Sequence, residues 1–386
     1  MITSGFTYFS VIVFFASLVI VAEKKSKSKF FKYVPAVVVI YFMVMLLATF
    51  KLWEKTDDVT MYYKMIKGNL LPAMIFLMLL RCDLRKIVKL GPKMILGFFA
   101  ASISIGIGFI VTYAIFKGMY TADTWKAFAA LAGSWMGGTG NMAAIQGALN
   151  VPDSSMGYTL LIDSIDYSIW VMILLGLVPF AHVFNKWTKA DMSIINEVGE
   201  ELAAQQETLR KNTEFSDMML LIGSSLFVSA CAQALAEVLP KTSFITATTW
   251  TVMIATVAGV LCAMTSLGKL PGSSQISNVM LYTIVGLIAS RANFAELGEA
   301  PLYILSGFVI LAVHAIILII IAKIFKLDLF TCGIASLANI GGVASAPILA
   351  ASYSEALIPI GVLMAMLGYI IGTGGGLFIG KILSIM

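Results

Sequence analysis

Two acids, Asp163 and Asp166, lie seven and ten residues into an apolar segment that begins near Met156. A helix rises ~1.5 Å per residue, so both sit on the order of 10–15 Å from its start, and their i, i+3 spacing places them on one face. An ionisable group at that depth of a bilayer costs at least about 2.5 kcal/mol, which makes it a functional residue by default. Two neighbouring carboxylates in a partly dry site do not both ionise easily, so the pair suits the uptake of a proton or, when charged, a sodium ion. The spacing predicts a shared polar cavity in which Asp163 and Asp166 together couple to an ion. Tyr167, Ser164 and Ser168 add hydroxyl oxygens to it.

A second chemical feature is a glycine pair that recurs. Trp135-Met136-Gly137-Gly138-Thr139-Gly140-Asn141 returns in altered form about two hundred residues later as Asn339-Ile340-Gly341-Gly342-Val343-Ala344-Ser345. Each copy interrupts an apolar segment, 126 to 149 and 329 to 351, long enough to cross a bilayer. Paired breaks at matching places point to the binding site of a secondary transporter, because unwound backbone and half-helix ends hold solute and ions. Gly137, Gly138, Asn141, Gln146, Asn339, Gly341, Gly342 and Ser345 are therefore expected to bind substrate. Thr139 and Asn141 are expected to join the two aspartates at the ion site. Pro347 removes a backbone donor and frees a carbonyl upstream, while Gly372 to Gly376 suit close packing against the broken helices.

Composition fixes the solvent. The 386 residues are 59% hydrophobic and 12% charged, with a mean hydropathy of +0.93, which no water-soluble domain tolerates on its surface. About twelve segments are candidate spans, the third and ninth short. The first, residues 5 to 22, lacks a preceding basic stretch and a small-residue cleavage site and is read as a span, not a secretory signal. Four scattered cysteines and two distant histidines give no metal-ligand or disulfide spacing, so no metal or other cofactor is expected beyond a coupling ion. The formal charge of +5 is that of cytoplasmic loops and calls for no nucleic acid partner.

The repeat extends beyond the glycines. Leu80-Arg81-Cys82-Asp83-Leu84 resembles Ser290-Arg291-Ala292-Asn293-Phe294, and Asp166-Tyr167 aligns with Gly368-Tyr369. Three correspondences in order divide the chain into repeats at 1–184 and 217–386, joined by a polar linker at 185–216 with a solvent-exposed helix over Asp191 to Asn212. Basic residues from Lys24 to Lys32 and from Arg81 to Lys93 orient the first repeat with these loops inside. In the second, an inverted arrangement places Lys269, Lys323, Lys326 and Lys381 inside and leaves Lys241 and Arg291 outside, so charge favours inversion. Six spans per half would instead make parallel copies, so inversion requires either one further crossing or one candidate segment that does not cross.

At Leu80-Arg81-Cys82-Asp83-Leu84-Arg85-Lys86, at Gly133-Ser134-Trp135-Met136-Gly137-Gly138-Thr139-Gly140-Asn141 and at Asp163, the chain resembles the membrane proteins grouped as domain of unknown function 819. The resemblance implies membership of the cation:proton antiporter and anion transporter superfamily. It further implies an all-α polytopic fold of two inverted repeats with crossing discontinuous helices, like that of sodium/proton antiporters or bile-acid symporters, and a panel domain that often forms a homodimer. The expected function is proton- or sodium-coupled transport of a small organic solute, an organic anion, amino acid or small peptide, across the bacterial cytoplasmic membrane. A sodium/proton antiporter without organic substrate is the alternative, although antiporter acids are usually adjacent. No enzyme activity is expected: an intramembrane aspartyl protease would carry its two aspartates on different helices with a Gly-x-Gly-Asp motif that is absent here.

Overall fold

A computed structural model describes residues 1–26, 31, 36–190, 213–242, 245–292, 300–354 and 357–386. The expected linker helix over Asp191 to Asn212 lies outside them. The fourteen principal helices of the described residues are α1 Gly5–Lys25, α2 Ala36–Thr49, α3 Asp57–Leu79, α4 Gly91–Phe116, α5 Thr124–Gly137, α6 Thr139–Ala148, α7 Ser155–Leu177, α8 Phe215–Val238, α9 Ala247–Ala263, α10 Ser273–Ala289, α11 Ala300–Phe325, α12 Leu329–Ile340, α13 Gly342–Tyr353 and α14 Ile358–Leu383. Six helical stretches are long and apolar enough to cross a membrane: Gly5–Lys25, Gly91–Met119, Ser155–Thr188, Phe215–Val238, Ala300–Phe325 and Ile358–Leu383. The fold is that of an all-helical integral membrane protein, in which helices satisfy their own backbone groups.

Contacts at the helix ends give the directions. Arg81, just beyond α3, donates to Ser274 at the start of α10, and Arg291, just beyond α10, donates to Thr60 in the first turn of α3 at 3.0 Å. α3 and α10 are thus antiparallel neighbours, and the two arginines mark opposite ends of the bundle. Lys117 reaches the Met386 carbonyl at 3.0 Å, which puts the end of α14 level with the end of α4. Lys381 therefore lies at the Arg291 end, opposite the side expected for it, because α14 rises away from the Arg81 end instead of returning to it.

The glycine breaks depart from the expected crossing geometry. Both broken segments double back as hairpins. A Cβ built on Gly380 of α14 would lie 2.7 Å from Ala129 and 3.3 Å from Leu149, so α5 and α6 stand side by side. In the second hairpin, the Phe330 and Tyr353 rings meet edge to face at 5.3 Å although they are 23 residues apart. Segments 126 to 149 and 329 to 351 are consequently re-entrant, not straight spans. The physical cause is in the backbone: Gly138 has φ 87° and ψ 170°, a region open essentially to glycine alone, and Gly342 has φ 56°. A helix that leaves αR at such a residue turns instead of continuing.

The hairpins enter from opposite ends. Thr124, at the base of the first, bonds Tyr303 near the start of α11 at 2.7 Å, and the Ala148 carbonyl accepts from Thr246 at 3.1 Å and Thr249 at 3.2 Å at the start of α9. The second starts at the Arg81 end, where the Leu329 amide donates to Asn185 at 2.8 Å. Packing sorts the helices into two groups: α1, α2, α3, α8, α9 and α10 form a scaffold, while α4, α7, α11, α14 and both hairpins form a core. Each group takes members from both halves of the chain, so the two halves interlock.

Candidate solute and ion site

Asp163 lies in the third turn of α7. Its Oδ1 accepts from the Ser134 hydroxyl and from the Trp135 indole N–H, both at 3.1 Å. Trp135 itself is wholly buried and packs edge to face on Phe109 with centroids 5.7 Å apart. The ring is a fixed donor, held by α4, and has no free face for stacking on a solute.

Asp163 opens on a cavity of about 260 Å³ where the hairpin tips converge. Gly138, Thr139 and Gly140 line it from the first tip and Gly341 to Ala344 from the second, with Ser134, Ser164, Tyr167 and Tyr369 from the core. Tyr369 sits between the tips: a Cβ on Gly138 would lie 3.4 Å from its Cε1, and one on Gly342 would lie 3.9 Å away. The scaffold wall comes from Val37, Met78, Asn278 and Tyr282. Val37, Met78 and Asn278 belong to the halves of α2, α3 and α10 nearest Arg81, with Tyr282 at the middle of α10, so the cavity faces that end.

Helix ends set its electrostatics. The first turns of α6 and α13 aim N–H groups at the tips, and the last turns of α5 and α12 aim carbonyls there, each end carrying roughly half an elementary charge. The Gly138 amide bonds the Ser134 carbonyl at 2.5 Å and the Gly341 amide that of Leu337 at 2.9 Å, which closes α5 and α12. One cavity thus presents donors for an anionic group and, at Asp163, a carboxylate for a cation. Its size is just below the ~300–1,000 Å³ of drug-sized sites, so it suits a small solute.

Of the residues singled out in the sequence, Asp163, Ser164, Tyr167, Thr139, Gly138, Gly341 and Gly342 line this cavity. Asp166 does not. One turn further along α7 it is fully buried, with neither carboxylate oxygen hydrogen-bonded, and lies against Gly307 of α11. The 60° offset of an i, i+3 pair is enough to turn it from the tips into the α7–α11 seam. Gly137 is packed against Gly368 and Gly372 of α14. Asn141 is used up by structure, donating to the Gly137 carbonyl at 2.6 Å and accepting from Thr373 at 2.5 Å. Asn339 donates to the Ala335 carbonyl at 2.9 Å and accepts from Ser102 of α4 at 2.7 Å. Each such bond is worth about 0.5–1.5 kcal/mol net, and together they brace the breaks. Ser345 is buried beside Gly341 and Tyr167. Gln146 lies away from the tips and donates to Asp153 at 2.7 Å.

Sequence reasoning passed over Asn278, Tyr282 and Tyr369 as site residues. A signal for Tyr369 was present, since Gly368-Tyr369 resembles Asp166-Tyr167 in sequence, and both tyrosines reach the cavity. Asn278 is one of several polar residues in the first half of α10, a weaker cue.

A broken-hairpin site in the middle of an apolar helical bundle defines a polytopic integral membrane protein. The chain belongs to the family described as protein of unknown function DUF819, which it matches over residues 10–386. It is similar to the uncharacterized membrane protein YjcL of Bacillus subtilis, with 24% identity over 343 residues and 83% of each chain covered.

Proposed function

We propose that this protein is a secondary active transporter that moves a small organic solute by alternating access, coupled to protons or sodium. The observation that carries this reading is the convergence of two oppositely entering hairpin tips and Asp163 on one cavity between core and scaffold. Broken helices at mid-membrane are the recurring means by which carriers bind solute and ion. The solute class is an organic anion, amino acid or small peptide, whose carboxylate would rest on the N-termini of α6 and α13 while the cation occupies Asp163.

The topology supports inversion of the two repeats. Among the described residues each half contributes five helices running from end to end and one hairpin, and an odd number of passes would turn the second copy over. The reciprocal bonds from Arg81 to Ser274 and from Arg291 to Thr60 are those a two-fold axis in the membrane plane generates. Lys24, Lys25, Arg81, Arg85, Lys86 and Lys93 gather at one end, which under the positive-inside rule is cytoplasmic. A bacterial cytoplasmic membrane fits this charge distribution.

A thermal-stability screen of small carboxylates and amino acids, with and without sodium and across pH, tests the reading. A ligand of the folded state at one hundred times its Kd adds about 2.7 kcal/mol and raises the melting temperature. Uptake of that ligand into proteoliposomes should saturate and respond to an imposed ion gradient. Flux that neither saturates nor follows the gradient would contradict a carrier.

A further inference from the structure

At the end of the bundle marked by Arg291, a polar cluster joins the first hairpin to the scaffold. Asp153, in the turn after α6, accepts from Tyr63 of α3 at 2.7 Å and from Gln146 at 2.7 Å, and lies 3.8 Å from the Lys67 ammonium. Lys67 also donates to the Tyr63 hydroxyl at 3.1 Å, and Tyr41 of α2 donates to the Asp153 carbonyl at 3.1 Å. The Arg291 guanidinium lies 4.7 Å from the centre of the Tyr63 ring. On the core side the cluster has Asp153 and Gln146; on the scaffold side it has Tyr41, Tyr63, Lys67 and Arg291.

Below it, toward the tips, the α3–α6 seam is apolar. Gly147 packs on Leu71 and Gly140 on Met78. These pairs are seven residues apart on both helices and contain no hydrogen-bonding side chain, so the seam resists neither sliding nor separation through specific bonds. Above the seam, a cavity of about 510 Å³ is lined by Lys64, Lys67, Asp153, Gln146 and Glu237 among others. The Gln146 Oε1 is buried there without a hydrogen-bond partner. The tip cavity, by contrast, takes its scaffold wall from the Arg81 end. One face of the site is therefore held shut by a charged fastening, with a polar vestibule outside it.

We propose that the Lys67–Asp153 pair, with Tyr63 and Gln146, is the gate that closes the solute cavity toward the Arg291 end, and that its release lets the first hairpin move on the scaffold and open the cavity to that side. The proposal rests on the transporter reading, but the test needs no solute. In a protein with Cys82, Cys231, Cys262 and Cys332 replaced by serine or alanine, Ser164→Cys places a thiol in the tip cavity. Sealed vesicles of either orientation are treated with a membrane-impermeant maleimide.

With the pair intact, labelling should come from the Arg81 face only. Lys67→Met and Asp153→Asn should each raise the labelling rate from the Arg291 face at least tenfold, and the exchanged pair, Lys67→Asp with Asp153→Lys, should restore one-sided labelling. Equal labelling from both faces with the pair intact would overturn the gate, as would Arg291-face labelling that stays at its starting rate in both single variants. If a single variant misfolds, as judged by size-exclusion elution, the exchanged pair decides: two-sided labelling there overturns the proposal. Absence of gradient-driven uptake alongside the expected labelling would count against the transporter reading alone.

Discussion

Asp163 and Trp135 are joined by an indole N–H donated to the carboxylate at 3.1 Å, three residues before the Gly138 break. The bond ties the only acid that lines the tip cavity among the described residues to the limb that forms the first tip. In the proposed carrier, motion of that tip would thereby be felt at the carboxylate, which is the coupling such a protein needs between ion and conformation.

Trp135→Phe tests that tie, because it keeps the ring packed on Phe109 and removes the donor. A hydrogen bond to a charged group is worth about 1.5–3 kcal/mol, and the indole competes with any cation for the same oxygen. The variant should bind its coupling cation roughly tenfold more tightly, read as the concentration giving half-maximal thermal stabilisation. An unchanged midpoint would show that the indole bond is merely packing.

The two break glycines should differ in what they tolerate. Gly138, at φ 87° and ψ 170°, sits where a side chain costs about 1–3 kcal/mol, whereas the φ of 56° at Gly342 is a value asparagine also adopts. Gly342→Asn should retain folding and ion response, while Gly138→Asn should lower the melting temperature by several degrees. Equal losses in the two variants would mean that backbone conformation is not what selects glycine at the first tip.

The α7–α11 seam leaves no room beside Asp166. A Cβ on Gly307 would collide with its carboxylate and lie 2.6 Å from Ile162, so Gly307→Ala should destabilise the protein by about 1–3 kcal/mol through overpacking. Combining it with Asp166→Ala should recover part of the loss, a non-additivity expected of residues in contact. Thermal unfolding of the four proteins measures the coupling, and strict additivity would contradict it.

At the Arg81 end, Asp83 caps the short helix Leu84–Ile87 and takes a fork from Arg85 at 2.9 and 2.8 Å. That guanidinium holds the Asp83 carboxyl below the usual carboxylate range. A depressed folded value contributes stability above the unfolded value of about 3.9 and loses it as pH falls through the folded one. Asp83→Ala should therefore lower the melting temperature slightly at pH 7, by the roughly 1 kcal/mol of an N-cap, and the difference from the parent should close toward pH 3.

Much of this arrangement was legible in the residue pattern. The matched glycine pairs marked both breaks and Asp163 marked the acid beside them, because glycine and a lone buried charge each have few physical uses inside a bilayer. Whether a broken segment crosses or returns was not legible, since residues 126 to 149 have the same length and hydropathy either way. It is decided by one glycine's ψ and by α14 packing on Ala129 and Leu149 at once. The roles of Asn141 and Asn339 were hidden for a related reason. An amide beside a break serves equally to bind solute or to brace the backbone, and only the positions of Thr373 and Ser102 show that both amides are engaged within the protein. Asp166, expected to share the cavity with Asp163, faces the α7–α11 seam instead, because helical spacing fixes a face only to within the width of a side chain.

The most direct test of the central claim is charge movement at Asp163. Proteoliposomes on a solid-supported membrane, given a rapid jump in proton or sodium concentration, should show a transient current in the parent protein as the cation enters the tip cavity. Asp163→Asn keeps the shape and the oxygen that Ser134 and Trp135 bond but cannot change charge, so the current should vanish while size-exclusion elution and melting stay as in the parent. A current of equal size and ion dependence in Asp163→Asn would contradict the assignment of this carboxylate as the coupling site.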